Sequence, residues 1–268
     1  MDRFVFSFDE PVGGGPDEQL ALLGGKGLNL AVMANELGLP VPPGFTVSTA
    51  GCRDFLAGHW PAGLDDELRS HMERLGDSLD RRFGDPANPL LVSVRSGAPV
   101  SMPGMMDTIL NLGLNPATTA GLARAVGDPD FATDCLRRFH EGYRAVIGSA
   151  AVPDDPWLQL RAAIEAVFKS WNSDRAQAYR RVEGISDDLG TAVTVQAMVF
   201  GNLGDDSATG VLFTRNPSSG EPELYGDIMF NAQGEDVVAG THATEPISVL
   251  AERLPQAWGD LRRYAVIR

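Results

Sequence analysis

Two kinds of hydrophobic spacing divide the chain. Short alternating or continuous apolar runs, the mark of strands, occur at residues 45–49 (FTVST) and 90–94, and return late in "TAVTVQAMVF", "TGVLFTRNP" and "ELYGDIMFNAQ". Gly201, Gly204, Asp205 and Asp206 supply a turn between the first two of these late runs. Helical spacing appears at residues 28–37, behind a loop containing Gly24-Gly25-Lys26-Gly27 and stopped by Pro40, Pro42 and Pro43. It recurs at 49–60 and 63–83, where "LDDELRSHMERLGDSLDRRF" has one apolar and one charged face. From 116 to 184 strand signals vanish, and "DPDFATDCLRRFHEGYRAVIG" and "DPWLQLRAAIEAVFKSWNSDRAQAYRRVEG" read as long amphipathic helices. Residues 255–268 suit one more helix. The order predicts an α+β fold: a mixed lobe over 1–112, a helical subdomain over 113–188 and a β-rich lobe over 189–268. It lacks the regular alternation of a doubly wound sheet.

Composition narrows the function. The chain has 268 residues, 43% of them hydrophobic and 22% charged, which suits a globular protein with a sizeable core. No apolar run reaches membrane-spanning length, and the opening "MDRFVFSFDE" has too short an apolar stretch and too many early acids for a signal peptide. A cytoplasmic location is the expectation. The net charge of −14 argues against a nucleic-acid or anionic-membrane partner, since phosphate backbones repel such a surface. Cys52 and Cys135 read as buried reduced thiols. His59, His71, His140 and His242 have no metal-ligand spacing, and no metal-binding residues are assigned.

The richest chemistry lies in "LLVSVRSGAPVSMPGMMDTILNLGLN", residues 90–115. Arg95 ends a buried strand, where it either pairs with a carboxylate or clamps a phosphate through its planar fork. The loop from Ser96 to Met106 carries Gly97 and Gly104, which permit close approach to a ligand. Its methionines, Met102, Met105 and Met106, either make an apolar lid or pack into the core. Asp107 and Thr108 bring back polar groups at the far hinge. Lys26, in a glycine-rich turn at a helix start, suits a phosphate but fits equally a solvated loop, and the Walker A spacing is absent. Gln196 and Met198 share one side of a strand with Thr194, and a glutamine there needs an adenine edge or a neighbouring backbone as partner. Glu235 and Asp236 either orient Mg²⁺ and arginines or form a solvated turn.

Taken in order, four stretches resemble the nucleotide-binding domain of the pyruvate phosphate dikinase family, and more loosely that of phosphoenolpyruvate synthase. They are "LLGGKGLNLAVMANELGLPVPPGFTVST", the stretch at 90–115, "VQAMVFGNLGDDSATGVLFTRNPSSGE" and "LYGDIMFNAQGEDVVAG". The resemblance implies an ATP-grasp-like fold with ATP between two α+β lobes and a glycine-bearing loop over its phosphates. It implies ATP and Mg²⁺ as cofactors, Lys26 and Arg95 as phosphate contacts, and Arg95 as the catalytic cation. Gly104 and Thr108 would be lid residues, Gln196 and Met198 would meet adenine, and Glu235 would lie near the nucleotide. It further implies transfer from ATP to a phosphohistidine carrier and on to pyruvate, with carrier and pyruvate-binding domains as partners. Two departures stand out. Pro99 replaces a basic residue common in such loops, and the family's Mg²⁺-binding acidic pair, Gln-Thr-Arg segment and Thr-Ser-His motif have no counterpart here. The resemblance therefore implies a truncated, inactive ATP-binding domain, with a regulatory nucleotide module or a dikinase with another acceptor as alternatives.

Overall fold

The computed structural model describes residues 3–105, 108–148, 151–238 and 243–267. The chain divides into two compact units, Met1–Met198 and Val199–Arg268. In the first, β1 (Val5–Ser7) is followed by α1 (Pro16–Asn35), β2 (Gly44–Val47), α2 (Thr49–Leu56) and α3 (Leu64–Leu79). Then come β3 (Arg82–Phe83), β4 (Pro89–Leu90), β5 (Val92–Gly97) and β6 (Thr108–Leu112). Helices α4 (Pro116–Val126), α5 (Pro129–Ile147), α6 (Pro156–Ser170) and α7 (Asp174–Glu183) precede β7 (Ala192–Ala197). No strand occurs among the described residues of 116–184, and no described helix is long and apolar enough to cross a membrane.

The main sheet has the order β1-β2-β7-β5-β6, and its pairings are all antiparallel. Strand β7, 95 or more residues downstream of its neighbours β2 and β5, lies at the centre of this sheet. It therefore packs with the N-terminal elements, and the compact first unit runs through it to Met198. The turn expected between the first two late strands joins different sheets, since β7 pairs with β2 and β5 while β8 (Ala208–Phe213) pairs with β9 (Tyr225–Phe230).

Register explains the two faces of the sheet. Phe45, Val195, Val94 and Ile109 lie in one transverse row across β2, β7, β5 and β6. These four are buried, and the pleat points the next row to the opposite face. Helices α2 and α6 cover the apolar face, where Gly51 lets α2 approach Val47 and Phe168. Gln159 ties α6 to the start of the helical layer. Its carbonyl accepts from Gly113 N–H at 3.0 Å, and its amide donates to the Leu114 and Pro153 carbonyls at 2.9 and 2.7 Å.

Helix α1 begins twelve residues earlier than residue 28, where its apolar spacing starts. Pro16 occupies a first-turn position, Asp17 and Glu18 complement the dipole, and the Glu18 carboxylate accepts from Gly15 N–H at 3.0 Å. Gly24 then breaks the helix with φ of +67°. The element is two helices joined across a kink, which the glycine run had disguised as a loop.

The second unit has the three-stranded antiparallel sheet β10-β9-β8, with β10 at Glu245–Pro246. Between β9 and β10 lies α8 (Gly234–Val238), and after β10 come α9 (Leu250–Arg253) and α10 (Pro255–Tyr264). Its core gathers Ile228, Ile247 and Leu250, with Trp258 and Leu261 packed against them. Val211, Phe213 and Tyr225 remain exposed on this sheet.

Candidate functional site

The row beside Phe45–Ile109 is polar. Thr46 on β2, Thr194 on β7, Arg95 on β5 and Thr108 on β6 stand side by side across four strands. Helix α1 packs along this part of the sheet, and its glycines allow the approach. A Cβ on Gly24 would fall 1.6 Å from the Gly97 carbonyl oxygen, and one on Gly27 would fall 2.6 Å from Thr46 Oγ1. The Gly25 N–H donates to the Ala98 carbonyl at 3.0 Å, fixing the kinked helix to the strand end. Beneath it the Thr46 and Thr194 hydroxyls and Arg95 Nε are buried without hydrogen-bond partners. Such groups each cost on the order of 1–3 kcal/mol when left unpaired.

Lys26 and Arg95 meet at this junction. Lys26 lines an open cleft of about 510 Å³ between the start of the second half of α1 and the loop after β5. Ser96, Gly104 and Thr108 line it from the other side. Burial, and then the Arg95 charge, lower the Lys26 amine from 10.5 to about 8. Burial also lowers Arg95. Among the described residues no carboxylate pairs with either cation, so the pair leaves positive charge uncompensated in a partly dry place. A larger cavity, about 820 Å³, lies in the second unit and includes Arg215, Arg262 and Arg263. Two of these are already engaged: Arg215 donates to the Gly220 carbonyl, and Arg263 pairs with Asp260 at 2.8 Å.

The loop after β5 is held at one point and open at another. Ala98 and Met102 are buried in a cluster with Trp171 and Ala176, and Met105 packs against it. Met102 is therefore an anchor into the helical layer while it also edges the cleft. Beneath it Arg180 stacks on Trp171 at 4.1 Å and pairs with Asp187 at 2.6 Å, and Trp171 Nε1 donates to the Asp187 carbonyl at 2.9 Å. Gly104 has φ of +68° with no atom near its missing Cβ, so backbone conformation alone demands glycine there. Met106 and Asp107 lie outside the described residues.

Gln196 is fully employed. Its Oε1 accepts from Arg95 Nη2, and its Nε2 donates to the Pro42 carbonyl at 2.8 Å. The glutamine thus holds the arginine against the segment that joins α1 to β2. Met198, half-buried just past β7, donates its N–H to the Leu91 carbonyl at 2.9 Å. Lys26, Gly104 and Thr108 thus line one cleft, while Arg95 and Gln196 are bonded to each other on the neighbouring strands β5 and β7 and do not line it. Glu235 lies in the first turn of α8, in the second unit, and is exposed. His242 lies outside the described residues. Sequence reasoning passed over Asn29 and Ser101, which line the cleft, and Thr46, a threonine in mid-strand among apolar neighbours.

Comparison with known proteins adds a family. The sequence profile described as "Pyruvate phosphate dikinase, AMP/ATP-binding domain" matches residues 20–59 and 57–261. The chain is 45% identical to pyruvate, phosphate dikinase 1, chloroplastic, of Oryza sativa subsp. japonica, across 96% of this chain and 32% of that protein. It is also 45% identical to pyruvate, phosphate dikinase of Rhizobium meliloti (strain 1021), across 94% of this chain and 33% of that protein. With pyruvate, phosphate dikinase 2 of Zea mays the identity is 43%, across 96% and 34%. The chain spans about a third of the length of these curated relatives.

Proposed function

Because this chain belongs to the pyruvate phosphate dikinase AMP/ATP-binding domain family, we propose that its Lys26–Arg95 cleft takes the phosphates of ATP. The observation that carries this is the cation pair. Two neighbouring positive side chains, both drawn out of water and with no described carboxylate beside them, are stabilised together by an anion. The cleft adds the hydroxyls of Ser96, Ser101 and Thr108. Arg95 supplies the fixed, forked cation, Gln196 aims it, and Lys26 supplies the mobile one.

The same assignment carries the wider function. The fold is ATP-grasp-like, with the sheet of the first unit as the lobe that carries the cleft. Gly104 and its neighbours close over the triphosphate and exclude water, and Met198 belongs to the nucleotide's surroundings. The chain serves a dikinase that passes a phosphoryl group from ATP to a histidine carrier and on to pyruvate, the carrier and pyruvate site lying in other domains. The cleft's donor set is cationic and hydroxylic, which fits phosphate and not a divalent metal. Among the described residues no three His, Cys, Asp or Glu side chains gather to hold one, so no step is assigned to Mg²⁺.

Titration calorimetry with ATP, ADP and inorganic phosphate tests the site. Lys26→Met and Arg95→Met are each expected to weaken ATP binding by about tenfold or more, since a charge-assisted contact is worth roughly 1.5–3 kcal/mol. Unchanged affinity in both variants, with the fold intact by circular dichroism, would place the nucleotide elsewhere.

A further inference from the structure

The chain contains twenty arginines and only two lysines, Lys26 and Lys169. Lys169 is exposed on α6 and holds Glu165 at 3.3 Å. Lys26 differs in every respect: it is half-buried, lines a cleft and has Arg95 as its nearest charged influence. A lysine in that setting is a nucleophile as well as a cation, because the neutral amine carries the lone pair that attacks carbonyl carbon. Resting on the phosphate-binding cleft proposed above, we infer that Lys26 is an acylation site for acyl phosphates, with the reagent's phosphate held among the hydroxyls that line the cleft, within the field of Arg95, and its acyl carbon presented to the Lys26 amine.

The chemistry closes without another reactant. The Nζ lone pair forms a bond to the acyl carbon, and the bond from that carbon to the phosphate oxygen breaks. The phosphate leaves with the electron pair and takes up the proton lost by nitrogen, so that one amide and one inorganic phosphate are formed. Arg95 stabilises the leaving dianion, and Gln196 keeps the guanidinium in place. Burial and Arg95 hold the Lys26 amine near 8, so about half of it is neutral at that pH, against less than about 1% for an ordinary lysine. The product is a neutral amide in the cleft, which removes one of the two cations and closes the site to a triphosphate. The cleft thereby couples nucleotide binding to the supply of activated acyl groups.

Lys169 serves as an internal control. The unaltered chain is treated at about pH 8 with acetyl phosphate, and in parallel with N-acetoxysuccinimide, an acyl donor without phosphate. Acetylation at both lysines is followed by peptide mass spectrometry, with and without inorganic phosphate or ATP. Acetyl phosphate is expected to favour Lys26 over Lys169 by at least about tenfold, because holding the reagent beside the amine outweighs the part of the neutral fraction that its charge removes. Inorganic phosphate should abolish that preference, and Arg95→Gln should lower it. N-acetoxysuccinimide, with no phosphate to dock, should show a smaller preference, which inorganic phosphate lowers by favouring the ammonium. Equal acetylation of the two lysines by acetyl phosphate overturns the proposal, as does a preference that phosphate does not suppress. Protection by inorganic phosphate but not by ATP upholds acylation while removing the nucleotide assignment, so the two fail separately.

Discussion

The amine of Lys26 gives the site a pH signature. Its folded value, about 8, lies below the ordinary 10.5, so between these limits the unfolded chain binds more protons there than the folded one. Stability therefore rises with pH through that window. The penalty of burying the charge is fully present below about 8 and is relieved above it. A bound phosphate reverses the preference by favouring the ammonium. ATP affinity is expected to fall roughly tenfold between about pH 7 and pH 9, provided Lys26 binds only when protonated. A Lys26→Met titration should lose that dependence, and a wild-type affinity flat across the range would remove Lys26 from the phosphate contacts. A second residue-scale test concerns Thr194, whose hydroxyl is buried without a partner. Thr194→Val is expected to stabilise by about 1 kcal/mol, read as a rise of a few degrees in melting temperature. A comparable fall would mean that ordered water serves the hydroxyl. Lys26 and Arg95 were legible in the sequence because a glycine-flanked lysine and a strand-end arginine stand out in one dimension. Thr46 and Thr194 were not, because only register puts them in one row with Arg95.

Among the elements, α1 shows where one-dimensional spacing misleads. In one dimension its Gly24-Gly25-Lys26-Gly27 run reads as loop, since isolated glycines weaken a helix by roughly 1 kcal/mol each. Here they serve the strand beneath, because the helix must bend at Gly24 and pass within contact of Gly97. Gly24→Ala brings both a strained φ and a Cβ overlapping the Gly97 carbonyl. It is expected to cost more than about 3 kcal/mol in urea unfolding, or to prevent folding. Gly104→Ala, with open space at its Cβ, should cost only the backbone strain, about 1–2 kcal/mol. If the two cost the same, α1 does not make the close approach to β5. The helical run at 116–184 was legible because its apolar period is long and uninterrupted. The pairing of β7 was not, since a strand carries its own alternation but no address for a partner more than ninety residues away.

At the scale of the whole molecule, the two units differ in what supports them. The first has a five-stranded sheet covered by helices, and the second a three-stranded sheet with a small core of Ile228, Ile247 and Leu250. A chain ending at Met198 is expected to fold alone and to keep the Lys26–Arg95 cleft, since every lining residue lies within it. Circular dichroism and a phosphate titration check this, and a disordered product would make the second unit part of the first unit's core. The two cysteines also fall on one side of that division. Cys52 in α2 and Cys135 in α5 are both buried, and burial pushes the Cys52 thiol up to about 11. Neither can meet a reagent until its surroundings open, so the rate of thiol labelling under native conditions is a clock for that opening. The clock needs no engineered probe and does not record the second unit, which has no cysteine. A phosphate ligand that grips the α1–β5 junction should slow it by the factor 1 + [L]/Kd at Cys52, where α2 abuts β7. If Cys135 alone keeps its pace in saturating ligand, the helical layer breathes without releasing the sheet.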